Sequence, residues 1–275
     1  MRKSRWLLGD DYYIRKRSRR IVVEVGGRRD EFSLAAVDLL AVKGGGHVSS
    51  DALELFCREK AHLVIHHGRH YWLDCGPERG VEYLIGQHAA SQRLAAAMVR
   101  TYLLSAAALF QRVGSEDAEL FLYYAENPLR AVSAGALEKT ETMILTEIFE
   151  HAQPGLDYSR LEEAYSLYKV FLEAEAISAA MRAGLNPALG PVPLYRALAL
   201  EFHPPLIWET LLSLKAPRKE SPQALLVPFK EKLEGTMLFS GRRVAARKAL
   251  HVRARALASA AVNDKVRISP IEWYL

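Results

Sequence analysis

The stretch AHLVIHHGRHYWLDCGP, residues 61–77, marks the one change of texture in the chain. Its two apolar runs flank Gly68-Arg69 and read as short strands around a turn, closed by Gly76-Pro77. Upstream the pattern stays strand-like. Ile21-Val22-Val23-Glu24-Val25 is β-branched and runs into Gly26-Gly27, a hairpin signal. Between these strands Ser50-Asp51-Ala52-Leu53-Glu54-Leu55-Phe56-Cys57 has a serine cap and helical spacing, which predicts one short helix. Downstream the signals are helical almost throughout. Helices are predicted over 87–112, 136–151 and 158–183, the last closed by Gly184. A further helix over 194–214 carries Pro204-Pro205, which should kink or split it, and a basic one spans 235–262. The expected fold class is α+β. A small β-rich domain of hairpins plus one short helix (1–77) precedes a linker (78–88) and a larger, all-helical C-terminal domain (89–275).

A chain of 275 residues, half hydrophobic and a quarter charged, is not disordered. Its longest apolar stretch, Leu94 to Phe110, is interrupted by Arg100 and falls short of the roughly 20 residues a membrane span needs. The start, MRKSRWLLGDDYY, turns acidic after three apolar residues, unlike a secretory leader. A cytoplasmic protein with no membrane partner is expected. Cys57 and Cys75, in no C-x-x-C spacing, are expected as buried reduced thiols rather than a disulfide framework or zinc site. The net charge of +5 is concentrated at two ends, Arg2 to Arg29 and Lys230 to Arg267, as suits a polyanion partner or solvated faces.

Candidate chemistry is sparse. His62, His66, His67 and His70 have the right donors for a metal, but in an alternating strand His66 and His67 point to opposite faces, and no carboxylate or thiolate follows at a fixed spacing. They are expected as surface or turn histidines. Glu138, Glu141 and Glu147 lie on one predicted helix, with Glu138 and Glu141 sharing a face. Gly44-Gly45-Gly46 lacks the Lys and Ser/Thr of a P-loop, so nucleoside triphosphate hydrolysis is not expected.

Taken with that layout, several phrases resemble the CRISPR-associated adaptation integrase family, the first of the Cas proteins, which inserts new spacers. IVVEVGGRRDEFSLAAVDLLAVKGGGHVSSDALELFCREKAHLVIHHGRHYW is similar to the family's hairpin, central valine-aspartate strand, capped helix and closing strands. IGQHAASQRLAAAMVRTYL is similar to its first long helix, and AYSLYKVFLEAEAISAAMRAGLNPALG to its tyrosine-containing helix and Gly-Leu-Asp-Pro-like turn. EFHPP is similar to its acidic-Phe-Arg-Pro phrase.

The resemblance implies metal-assisted DNA cleavage and strand transfer, with Mg²⁺ or Mn²⁺ held by a Glu, a His and an Asp. ALEKTE nominates Glu141, but the His position falls at Pro193 and the Asp position at Ala197. Glu201 and His203 are the candidate replacements, with Tyr195 in the gap. One Glu alone holds such an ion poorly, because several oxygen or nitrogen ligands must converge. The expectation is therefore a DNA-binding subunit of the spacer integration complex with weakened or lost catalysis, taking Mg²⁺ or Mn²⁺ if active and otherwise no cofactor. The alternatives are an active integrase and endonuclease using Glu141 with displaced ligands, and an unrelated nucleic-acid binder. Arg196, Lys230, Lys232, Arg242 and Arg243 are the expected phosphate contacts on double-stranded or branched DNA. The family implies a homodimer made through the β-rich domain, a small ferredoxin-like adaptation partner and, for an inactive member, an active paralogue. The apolar alternation of Val22 to Val25 and Leu63 to Ile65 suits either that dimer contact or an ordinary core.

Overall fold

The computed structural model describes residues 2–75, 81–133, 135–151, 157–214, 221–263, 265–269, 271 and 273. The chain opens with β1 (Lys3–Leu8), β2 (Tyr12–Arg17), β3 (Arg20–Val25), β4 (Arg28–Phe32), a 3-10 turn, β5 (Val37–Lys43) and β6 (Gly46–Val48). Helix α1 (Ser50–Glu59) follows, its first turn capped by the Ser49 side chain accepting from the Ala52 N–H, and then β7 (His62–His67) and β8 (Arg69–Leu73). One sheet has the order β1-β5-β7-β8, parallel except for the β7–β8 hairpin; the other has the order β4-β3-β2-β6. Gly26 and Gly27, at φ of 53° and 74°, make the two-residue turn between β3 and β4 that matches strand twist.

Strand β5 is buried on both faces, and its alternation divides two cores. Leu40 and Val42 face Tyr12, Ile14, Val23 and Phe56 between the sheets and α1, whereas Leu39 and Ala41, with Val64 of β7, enter the helical core. Val22, Val23, Leu63 and Val64 are all buried, the last three within these two cores.

The helical part comprises α2 (Val81–Val113), α3 (Ala118–Glu126), α4 (Pro128–Ser133), α5 (Ala136–Glu150), α6 (Tyr158–Arg182), α7 (Leu194–His203), α8 (Glu209–Leu212), α9 (Pro222–Glu234) and α10 (Ala246–Val262). Helix α2 is long and apolar enough over Leu84–Val113 to cross a membrane by length and composition, yet 67% of its most apolar window is buried in the protein. Residues 81–88 of the expected linker are its first turns, and 78–80 lie outside the described residues. Helix α6 is buried on every side from Val170 to Met181, between the parallel sheet and helices α5, α7, α9 and α10.

Trp6 of β1 fastens sheet to helix. Its ring stacks on Phe171 (4.9 Å) and Phe229 (5.6 Å), and its Nε1–H donates to Glu175 (3.2 Å). Glu175 in turn receives two hydrogen bonds of 3.2 Å from the Arg247 guanidinium, and the pair is almost fully buried.

Several expectations are corrected. At Pro204-Pro205 the helix does not break: α7 passes through a π turn, Pro204–Trp208, into α8, the wider i→i+5 ladder accommodating residues without an N–H. The predicted helix over 235–262 is a hairpin, β9 (Thr236–Phe239) and β10 (Arg242–Ala245), followed by α10. Ser240 and Gly241, at φ of 49° and 75°, turn the chain there, and left-handed residues cannot continue a right-handed helix. Cys57 and Cys75 are joined in a disulfide rather than free, because α1 and the chain leaving β8 bring their Cα atoms to 4.8 Å, a proximity no local spacing signals. Two of the four histidines are interior. The face of β7 and β8 that carries His62, His66 and His70 is covered by α6, where His62 Nδ1 lies 2.7 Å from Ser178 Oγ and the His70 side chain is 3% exposed.

Candidate functional site

Helix α5 presents Glu138 and Glu141 one turn apart, and Glu141, 8% exposed, faces α6 and α7. The Lys169 ammonium from α6 donates to Glu141 Oε2. Arg196 from α7 places Nη2 3.1 Å from Glu138 Oε1 and 3.6 Å from Glu141 Oε1. One buried carboxylate thus meets two permanent cations.

Aromatic and polar groups enclose this cluster. His203, fully buried at the end of α7, stands edge-on to Tyr102 of α2 (5.8 Å) and Tyr165 of α6 (6.1 Å). Burial holds its pKa well below the usual imidazole value, and the charges of Lys169 and Arg196 add to the effect. Both His203 nitrogens, Glu141 Oε1, Arg196 Nε and the Tyr102 and Tyr165 hydroxyls are buried without a hydrogen-bond partner among the described residues. Together these atoms form one buried polar cluster between α2, α5, α6 and α7.

Two turns along α6, Glu173 lies 3.3 Å from His70 Nδ1, and His70 Nε2 lies 3.3 Å from the Val170 carbonyl. Burial raises the Glu173 carboxyl to about 7 and lowers His70 to about 4. Between those values both groups are uncharged, so the contact is a neutral one and not an ion pair. A ring protonated at Nε2 donates to Val170 and turns Nδ1 toward the carboxyl.

Of the expected ligands, His203 lies in the same buried cluster as Glu141, and Glu201 does not. Glu201 is fully buried two residues earlier on α7, where Arg253 Nε donates to Oε2 (2.8 Å), Arg253 Nη2 donates to Oε1, and Thr101 Oγ1 donates to Oε1 (3.1 Å). Burial raises its pKa against the pull of Arg253. Pro193 caps α7 and Ala197 is buried apolar core, so neither brings a ligand atom.

The residues present do not fit a divalent ion. Glu141 Oε2 is taken by Lys169, Oε1 is faced by Arg196, and among the described residues no group of three or more His, Cys, Asp or Glu side chains is placed to hold a metal. A dication would also sit against two like charges at close range.

The expected DNA-contacting cations divide. Arg196 is turned inward onto Glu138 and Glu141, and Lys232 is paired with Glu209. Lys230, Arg242 and Arg243 are exposed, the two arginines on the β9–β10 hairpin. Sequence reasoning passed over Lys169, Tyr165 and Glu173. Their spacing, four residues apart along α6, puts all three on one face and was the available signal.

No family model and no curated protein matches the sequence. Among solved structures, a casposase bound to its integration product superposes with a TM-score of 0.72 at 14% identity, over 97% of this chain and 92% of that one. A Cas1 protein from Thermotoga maritima superposes with a TM-score of 0.72 at 13% identity, over 96% of this chain and 98% of that one. The fold is that of Cas1. A Cas6-RT-Cas1–Cas2 complex contains a similar part, with a TM-score of 0.60 at 14% identity over 95% of this chain and 35% of that one. Within this Cas1 fold, α5, α6 and α7 converge on Glu141, and Lys169 and Arg196 supply the positive charge there.

Proposed function

We propose that this Cas1-like chain is a DNA-binding subunit of a spacer-integration assembly whose own strand-transfer chemistry is lost. The observation that carries the proposal is the pairing of Glu141 with Lys169 and Arg196. An ammonium and a guanidinium neutralise the carboxylate but offer no vacant coordination position, so they cannot polarise a phosphate oxygen and orient a 3′ hydroxyl as a bound metal does. The site then serves as a structural tie between three helices. The DNA-bound casposase and the Cas1–Cas2 complex support DNA and a small partner protein as what such a fold engages. The expected assembly is a homodimer through the β-rich part, with the ferredoxin-like partner and an active paralogue supplying the chemistry.

One feature favours the alternative of an active integrase and endonuclease: His203, with neither ring nitrogen hydrogen-bonded, is buried against Tyr102 and Tyr165 in the same cluster as Glu141. Incubating the protein with a branched DNA bearing free 3′ ends and Mn²⁺ or Mg²⁺, beside Glu141→Ala, distinguishes the two. Binding without cleavage or joining in either protein supports the scaffold. Metal-dependent products that vanish in the variant would overturn it.

A further inference from the structure

We propose that the cleft between β5, the last turn of α6 and α10 is a binding site for a phosphate monoester. The spacing on α10 begins the argument. Lys248, His251 and Arg255 are three and four residues apart and so share one face of the helix. Across a half-open cleft of about 460 Å³, they look onto Arg182 of α6 and Asp38 of β5. Arg182 and Asp38 are paired at 2.8 Å. Among the described residues, neither Lys248 nor Arg255 has an ion-pair partner, and both are exposed. Arg247, one residue from Lys248, is turned away into its buried pair with Glu175.

Three permanent cations therefore face one carboxylate, an excess of two positive charges in a concave site. A backbone phosphodiester carries one negative charge, whereas a monoester carries between one and a half and two near neutral pH and offers three acceptor oxygens. The charge excess matches a terminal phosphate better than a single backbone phosphodiester. The neighbouring imidazole agrees. Burial holds His251 at about 4, aided by Arg182, Arg247 and Arg255 and opposed by Asp38; His62, beside Arg182 and His251, is likewise held at about 4. A neutral His251 keeps one ring N–H to donate, and a bound dianion relieves the positive potential that depresses it.

The chemistry has two sources, the 5′ end of a DNA strand and a free nucleotide, and the site does not depend on the DNA reading above. The full-length protein is titrated with inorganic phosphate while the His251 ring resonance is followed, beside a Lys248→Gln/Arg255→Gln double variant with an unchanged melting temperature. A saturable response with an upward move of the His251 titration midpoint is expected in the wild type, with loss in the variant. In a second arm one oligonucleotide is compared with 5′-phosphate and 5′-hydroxyl ends, and adenosine 5′-monophosphate is the competitor. A strand-end site gives about tenfold tighter binding of the phosphorylated strand, roughly the worth of one charge-assisted hydrogen bond, and no such preference in the variant. A His251 response and monophosphate binding without end discrimination support the site with the free nucleotide as its source. No response to phosphate, or an equal response in the double variant, overturns the site. Failure to bind any DNA with the phosphate response intact rejects the DNA reading alone.

Discussion

The Lys169 ammonium donates to the Glu141 carboxylate and ties α6 to α5 inside the helical core. The carboxylate is almost buried and the lysine is about one-quarter exposed, at 9% and 23%. Losing one member of such a pair costs more than the pair contributes, because the other charge stays desolvated. Lys169→Met should therefore lower stability by about 2 kcal/mol, discounted for the lysine's exposure, while Lys169→Met/Glu141→Leu should lose much less. Urea unfolding of the four members of that cycle measures the coupling. A coupling energy near zero would show that the carboxylate is solvated and open to a metal.

Burial of Glu173 and of His62, His70 and His251 makes stability pH-dependent with a definite sign. Glu173 titrates near 7 in the folded chain against an ordinary 4.5, so its contribution is fully present below about 4.5 and is lost as pH rises through 7. His62, His70 and His251 fall from an ordinary 6.5 to about 4, so theirs is present above 6.5 and is lost as pH falls through 4. Glu173→Gln removes the first term. Relative to the wild type it should gain on the order of 2 kcal/mol between pH 5 and pH 8. Thermal melts across that range that run parallel for the two proteins would count against a carboxyl held neutral by burial.

What could be read in advance follows the range of the interactions. The β3–β4 hairpin is specified by Val25-Gly26-Gly27-Arg28, and the helices by their caps and periodicity, all within a few residues. A short phrase nominated Glu141, and the structure places it, buried, on α5. The role of Lys169 was not, since it depends on α5 and α6 meeting across 28 residues, and the Cys57–Cys75 bond depends on strand closure. At 240–241 a local signal was present, Ser-Gly between Phe239 and Arg242, and the helical bias of the segment after it hid it. The cations show the same limit: Arg196 and Arg243 are alike as letters, and only the packing of α7 turns the first inward.

The Glu175–Arg247 pair, 1% and 6% exposed, supports the Trp6 anchor as well as α10. Arg247→Met leaves a buried carboxylate with only an indole N–H donor, so a loss of about 3–5 kcal/mol is expected. Trp6→Phe keeps an aromatic ring against Phe171 and Phe229 and removes one hydrogen bond, for about 1 kcal/mol plus the smaller ring's lost contact. Denaturant midpoints separate these values. Equal losses would mean that the anchor is held by stacking alone.

The hairpin arginines and Arg196 should behave oppositely toward DNA. Arg242 and Arg243 occupy successive strand positions on opposite faces of a hairpin whose Phe239 face packs on the helical core, yet both side chains are exposed, and each can neutralise a phosphate. Arg242→Gln/Arg243→Gln should weaken duplex binding uniformly across sequences and reduce the slope of log affinity against log salt by about 2. Arg196 spends its charge on Glu138 and Glu141, so Arg196→Gln should leave that slope unchanged and lower the melting temperature instead. Anisotropy titrations at several salt concentrations, read beside thermal melts, test both. If Arg196→Gln flattens the salt dependence without loss of stability, its guanidinium reaches phosphate in the complex, and the Glu141 pocket opens on binding DNA.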